Sequence, residues 1–345
     1  MTEKPEAPDR PAETERARRS EQVEPFLQGC VWPEAPGVPY QRAKPEGAMG
    51  RLPMDTWGMA SIPAGVRLEI DGDAAEIDLR YSCAHASFGY LGGGEVHRFV
   101  VWRDGTRVAT VEAEEGEHTV RLPLGDGPGT ATVYLPERMG PTLLEVTGVG
   151  GSITPAAPQP RWLCYGDSIA EGWTVTDADL SWPAVAARKH GLDLVNLGYA
   201  GSARGEIPSA EELAELEADV ISIAHGTNCW TRTPHSADLF AAGLQAFLDI
   251  VRQGHPTTPV VAISPITRPD AEATPNRLGA TLTDLRATFE AVVRERLAGD
   301  PNLTLVEGFP IVPVDLLADG IHPGDEGHAA MAAAIGPVVA GALTG

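Results

Sequence analysis

The hydrophobic period of this chain changes near residue 155, and that change separates what can fold in front of it from what can fold behind it. In front, Val66, Leu68 and Ile70 alternate with polar neighbours. Ala75, Ile77, Leu79 and Tyr81 resume the same period of two after a DGD turn. VHRFVVWR, an Asp104-Gly105 turn and TRVATVEA give the clearest hairpin signal, because Asp-Gly readily adopts the positive φ angles of a two-residue loop. HTVRLPL, TATVYLP and TLLEVTGV follow at similar spacing. About seven short strands with no helical pattern predict an all-β sandwich, of jelly-roll type.

Behind a Gly/Pro-rich stretch, the pattern becomes strand, helix, strand. RWLCYG reads as a strand. SWPAVAARKHG reads as a helix capped by Ser181 and stopped by Gly191, and DLVNLG as the next strand. Ser209 and Glu212 form an expected capping box. DVISIAHG, TPVVAISP and LTLVEG read as further strands. They are separated by the amphipathic ADLFAAGLQAFLDIVRQG and TLTDLRATFEAVVRERLAG, and DEGHAAMAAAIGPVVAGAL closes the chain. Alternation of this kind predicts an α/β unit, a parallel sheet covered by helices on both faces. The expected division is a disordered tail over 1–24, a β-sandwich over 25–150, a linker over 151–160 and the α/β unit over 161–345.

The formal net charge of -22 argues against nucleic acid and anionic membrane surfaces as partners. Cys30, Cys83, Cys164 and Cys229 contain no C-x-x-C pair, so neither a zinc site nor a disulfide framework is expected. The charged, Pro-rich N-terminus has no apolar core of a signal peptide, and no membrane span is expected. The expected location is the cytoplasm.

Four short blocks carry the chemistry. Tyr165-Gly166-Asp167-Ser168-Ile169 ends the first strand of the α/β unit and places a hydroxyl on a strand-to-helix turn. Asn196–Gly201 ends the second strand, where glycine lets a backbone N–H approach a ligand. His225-Gly226-Thr227-Asn228 ends the third, where a carboxamide can donate to a developing oxyanion. Asp319-Gly320-Ile321-His322-Pro323 precedes the last helix, with a carboxylate able to turn back onto the imidazole. Each block alone also fits an ordinary turn. Together they occupy strand ends on one rim, where open sheets of this class bind ligands.

In that order the blocks resemble those of the SGNH hydrolases, or GDSL esterases/lipases, over roughly 160–345. The resemblance implies a flavodoxin-like, three-layer domain with a five-stranded parallel sheet. Ser168 would be the nucleophile, His322 the base and Asp319 its orienting acid. The N–H groups of Ser168 and Gly201 and the side chain of Asn228 would form the oxyanion hole. No metal or organic cofactor is implied. Cys229 stands where the family usually has Asp, and Ile169 where it usually has Leu. RLPMDTWGMASIPAGVRLEI and the strands after it resemble the sandwich that precedes the hydrolase in an actinobacterial subgroup containing an antibiotic-pathway acyltransferase.

The implied reaction is hydrolysis of a small or medium acyl ester through an acyl-serine. Two alternatives stand beside it: an acyltransferase moving the acyl group from a thioester such as acyl-CoA to an alcohol, and an inactive hydrolase with a carbohydrate-binding sandwich. Core packing is expected for Trp57, Met54 and Met59, and an exposed or capping role for His328. Asp167 is expected to order the nucleophile turn. Arg204 and Glu206 are expected either to pair or to line the pocket. Trp173 and Trp230 are candidate walls of an acyl pocket.

Overall fold

The computed structural model describes residues 20–32, 39–45, 50–83, 97–127 and 129–344. Most of the expected tail, residues 1–19, lies outside the described residues. Ser20–Glu21 (β1), at its end, pairs antiparallel with Pro141–Val149 (β9).

The front part is two antiparallel sheets. One has the order β1-β9-β4-β7, with β4 at Glu76–Cys83 and β7 at Gly116–Pro123. The other runs β10-β3-β8-β5-β6: Ile153–Pro155, Arg67–Gly72, Ala131–Tyr134, Arg98–Arg103 and Thr106–Glu112. Leu27–Gln28 (β2) also pairs with β3. Strict alternation of buried and outward residues along β4 places Ile77, Leu79 and Tyr81 in the core between the sheets, with Leu68, Phe99 and Val133. Asp104 and Gly105 both take positive φ, 49° and 71°, as the hairpin reading requires. Ile153–Pro155, read as part of a linker, is instead an edge strand, because its backbone finds a ladder against β3.

The back part is a five-stranded parallel sheet of order β12-β11-β13-β14-β15. Its strands are Arg161–Gly166 (β11), Asp193–Gly198 (β12), Val220–Ala224 (β13), Val260–Ile263 (β14) and Leu303–Val306 (β15). This is the flavodoxin-like doubly wound order, and it reverses at β11, opening a crevice between the carboxyl ends of β11 and β13. The four strands β11–β14 are buried on both faces, which explains their nearly continuous apolar runs, while the edge strand β15 is only partly covered.

The helices are Met54–Met59 (α1), Ser168–Glu171 (α2), Trp182–His190 (α3), Ile207–Glu215 (α4), Thr227–Thr231 (α5), Ala237–Gly254 (α6), Leu282–Leu297 (α7) and Asp325–Gly341 (α8). Thr281 and Asp284 make a capping box on α7. Ser209 and Glu212 make none: α4 begins two residues earlier at Ile207-Pro208, and the Glu212 carboxylate receives the Lys44 N–H at 3.1 Å. Ser181 precedes α3, but its hydroxyl bonds Ala178 O at 3.4 Å. The first N–H of that helix, Trp182, donates to the buried His328 Nδ1 at 3.1 Å. The histidine is thus the cap, and its burial holds its pKa down at about 4. It lies on α8. That helix is long and apolar enough to cross a membrane by composition, and it packs Met331, Ala332, Ile335 and Val339 into the core beneath the sheet.

Two layers join the parts. Ala43, Leu52, Met59, Ala60 and Ile62 leave the sandwich and enter the core on one face of the parallel sheet. On the other face, Asp177 and Asp179 precede α3. They receive Arg98 and Arg107 at 2.7–3.0 Å and the Trp102 indole N–H at 2.7 Å. Arg188 of α3 stacks 3.9 Å from the Trp102 ring centroid.

Candidate active site

Ser168 opens α2 directly after β11. Gly166 is required there, since a β-carbon would lie 2.6 Å from Ala170 Cβ and 2.7 Å from Ala224 O. Asp167 is the N-cap and accepts the Ile169 N–H at 3.0 Å. Its burial pushes its pKa up to about 7, and its work is to order the turn.

Ser168 Oγ lies 2.9 Å from His322 Nε2, and His322 Nδ1 lies 2.7 Å from Asp319 Oδ2. The other Asp319 oxygen accepts the N–H groups of Ile321 and His322 at 2.9 and 2.8 Å, so the carboxylate is fastened on both sides. Burial of Asp319 raises its pKa. The His322 backbone and ring donors outweigh that and hold it below the ordinary carboxylate value. For His322 the balance goes the other way. Burial lowers its pKa more than Asp319 raises it, so the imidazole is neutral and basic in the resting protein. A hydroxyl, an imidazole and a carboxylate in this chain of contacts can generate an oxygen nucleophile and hold the proton it releases.

The second and third blocks meet the first. Asn196 is a staple: its Oδ1 accepts the Gly198 N–H and its Nδ2 donates to Ala170 O, both at 2.8 Å. The Tyr199 N–H donates to Gly166 O at 2.9 Å, tying this loop to the nucleophile turn. Gly201 takes φ 70°, a left-handed value open to glycine at little cost. The N–H groups of Ser168 and Gly201 meet no acceptor among the described residues. Asn228 follows β13, and its Nδ2 donates to Ser202 O, which fixes the carboxamide beside the same loop.

A buried charge cluster supports this rim and had no readable signal in the sequence. Glu171, three residues after Ser168, accepts the Ala200 N–H at 2.8 Å. Its carboxylate is paired with Arg42 at 3.5 Å and Arg138 at 3.0 Å, both from the front part. Arg42 is 1% exposed, and its guanidinium also donates to Met59 O at 2.8 Å, Asn196 O at 3.1 Å, Ile62 O and Gly198 O. It therefore holds the end of β12, the strand that leads into Gly201. No spacing rule links an arginine in irregular chain to a glutamate so far along the sequence.

The remaining candidates divide. Arg204 pairs with Glu206 at 3.3 Å and forms a two-pronged contact with Asp55 at 2.9 Å, so the loop is held by its own charges. Trp173 is buried 6.0 Å from the His322 ring, and Trp230 is half-buried under Arg268. Met59 and Trp57 pack in the core as expected, while Met54 is 76% exposed because it opens α1 on the outer side. Cys229 is wholly buried, its thiol donating to Arg204 O, and burial pushes its pKa far up. It has none of the character of a nucleophile.

Fold and site together define a Ser-His-Asp hydrolase domain of the doubly wound α/β class. Residues 164–330 match the family model of the GDSL-like Lipase/Acylhydrolase family, which marks this part of the chain as a domain of that kind. Among solved structures, the chain is similar to the salicylyl-acyltransferase SsfX3 of a tetracycline biosynthetic pathway. The two are 28% identical, with 95% of this chain and 98% of that one covered and a TM-score of 0.81. A protein described as a GDSL-like lipase from Bacteroides ovatus is 19% identical over the same shares, with a TM-score of 0.76. A carbohydrate esterase family 2 enzyme with a carbohydrate-binding domain, from Corynascus thermopiles, is 17% identical. It covers 82% of this chain and 95% of its own, with a TM-score of 0.60. No curated protein sequence matches the chain.

Proposed function

We propose that the protein transfers an acyl group from a small or medium ester to water through an acyl-serine on Ser168. His322 Nε2 takes the hydroxyl proton as Oγ bonds to the carbonyl carbon. Asp319 keeps the ring in the tautomer that presents Nε2 as acceptor and stabilises the imidazolium that results. The oxyanion is received by the N–H groups of Ser168 and Gly201 and by the Asn228 carboxamide. When the intermediate collapses, the bond to the leaving oxygen breaks and His322 returns the proton to it. Water then repeats the sequence on the acyl-serine and frees the acid. The contact of 2.9 Å between Ser168 Oγ and His322 Nε2 carries this reading.

A second acceptor is favoured by one observation, the likeness along nearly the whole chain to a salicylyl-acyltransferase. On that reading an alcohol replaces water in the second half and a thioester replaces the ester in the first. The triad serves both. Incubation with p-nitrophenyl acetate or an acyl-CoA and a series of alcohols, with products weighed by mass spectrometry, separates them. Free acid at every alcohol concentration supports hydrolysis, whereas new esters growing with alcohol concentration support transfer. A folded protein that neither turns over nor takes a fluorophosphonate label removes the enzymatic reading and leaves a binding role for the sandwich.

A further inference from the structure

The chain carries a net charge of -22, and the arginines around its site are nearly all committed to carboxylates. Arg204 is taken by Asp55 and Glu206, and Arg42 and Arg138 by Glu171. Arg268 is held by Asp270 at 2.9 and 3.2 Å over the face of Trp230, its charge near enough to weigh on His322. Arg232 is the exception. Its guanidinium has no hydrogen-bond or ion-pair partner among the described residues.

Its place is specific. The Arg232 N–H donates to Asn228 O at 3.0 Å, so the residue lies one helical turn beyond Asn228 along α5. The guanidinium lies over Gly201. A β-carbon built there would be 3.5 Å from Nη2 and 3.6 Å from Cζ and Nε. The missing side chain at Gly201 thus leaves room for a cation beside the N–H assigned above to the oxyanion. The free guanidinium presents a planar fork of donors suited to a carboxylate or phosphate.

We propose that Arg232 is a specificity-determining residue that selects esters and thioesters carrying an anionic group, carboxylate or phosphate, near the scissile carbonyl. This rests on the acyl-serine reading and deepens it. The anion can belong to the acyl group or to the leaving group, and the test separates the two.

Two matched pairs serve as substrates. The first is p-nitrophenyl hemisuccinate against its neutral methyl ester, with the charge on the acyl side. The second is 4-acetoxybenzoate against its neutral methyl ester, with the charge on the leaving side. Arg232→Gln should lower kcat/KM for the anionic member of one pair by about tenfold or more, mainly through KM, and leave both neutral members within about twofold. The preference of the parental protein should weaken with added salt, and that of the variant should not. Equal effects on charged and neutral members of both pairs, or no effect, overturn the proposal and leave a solvated surface arginine. Binding of the same pairs to Ser168→Ala, with and without Arg232→Gln, reads the selectivity independently of turnover. Charge selectivity that the glutamine abolishes there supports the site even if no ester is cleaved. Selectivity absent or unchanged there sinks it even if esters are cleaved.

Discussion

The back part of the molecule brings its chemistry to the rim through short local motifs, whereas the front part reaches the same rim through two arginines that lie outside its sheets. Asp319 and His322 are three residues apart and bond each other directly, and Ser168 sits on the turn its own GDS sequence makes. Arg42 and Arg138 touch no reacting atom. They neutralise Glu171, which holds the Ala200 N–H and with it the approach to Gly201. Groups that react are written in local sequence because the turn that exposes them is local. Groups that hold them in place are written anywhere the fold brings close.

The sharpest break in that comparison would come from the local motifs. Ser168→Ala and His322→Ala should each lower p-nitrophenyl acetate turnover by about 10⁴-fold or more while leaving thermal unfolding close to parental. A variant retaining near-parental turnover removes its residue from the mechanism. Asn228→Ala should lower kcat by about 100-fold with little change in KM. A pure KM effect would make Asn228 a group that positions substrate instead.

The supporting arginines should behave differently. Arg42→Met leaves a buried carboxylate with one fewer counter-charge, so it should cost about 3–5 kcal/mol in urea unfolding and lower kcat more than it raises KM. Arg42→Lys should recover part of both. Parental stability and turnover in Arg42→Met would mean that the front part is idle in the reaction.

Two smaller effects follow pH. Because burial depresses the His322 pKa below its ordinary 6.5, the imidazole stays neutral to lower pH. The acid limb of kcat/KM should therefore fall below 6.5. A limb above that value would mean that Asp319 dominates over burial. Glu137, which accepts the Gly65 N–H at 2.7 Å, is pushed by burial from 4.5 to about 7. Between those values the folded protein keeps a proton that the unfolded chain releases, so stability from this group declines as pH rises through the window. Glu137→Gln should gain on the parental protein over that same interval in urea titrations. A difference independent of pH would contradict the assignment.

Much of this was legible beforehand. The switch of hydrophobic period separated the antiparallel sheets in front from the parallel sheet behind, since pleat alternation and double-sided burial leave different patterns. The triad blocks were legible because each lies at a strand end or just before a helix. The capping signals at Ser181 and Ser209 failed for a physical reason. A histidine from α8 takes the first N–H of α3, and the proline at the start of α4 moves that helix forward. Nothing local marked Arg42, because its partners are carbonyls and a carboxylate assembled from three separate stretches of chain, 59–62, 171 and 196–198.

That guanidinium sets a rule for anyone grafting parts of this molecule. A chimera that joins the hydrolase sheet to a foreign sandwich would strand an anion one helical turn from the nucleophile, unless the graft brings its own pair of cations to the same spot. The seam that matters therefore runs through the Glu171 pocket rather than through the stretch of chain that connects the halves.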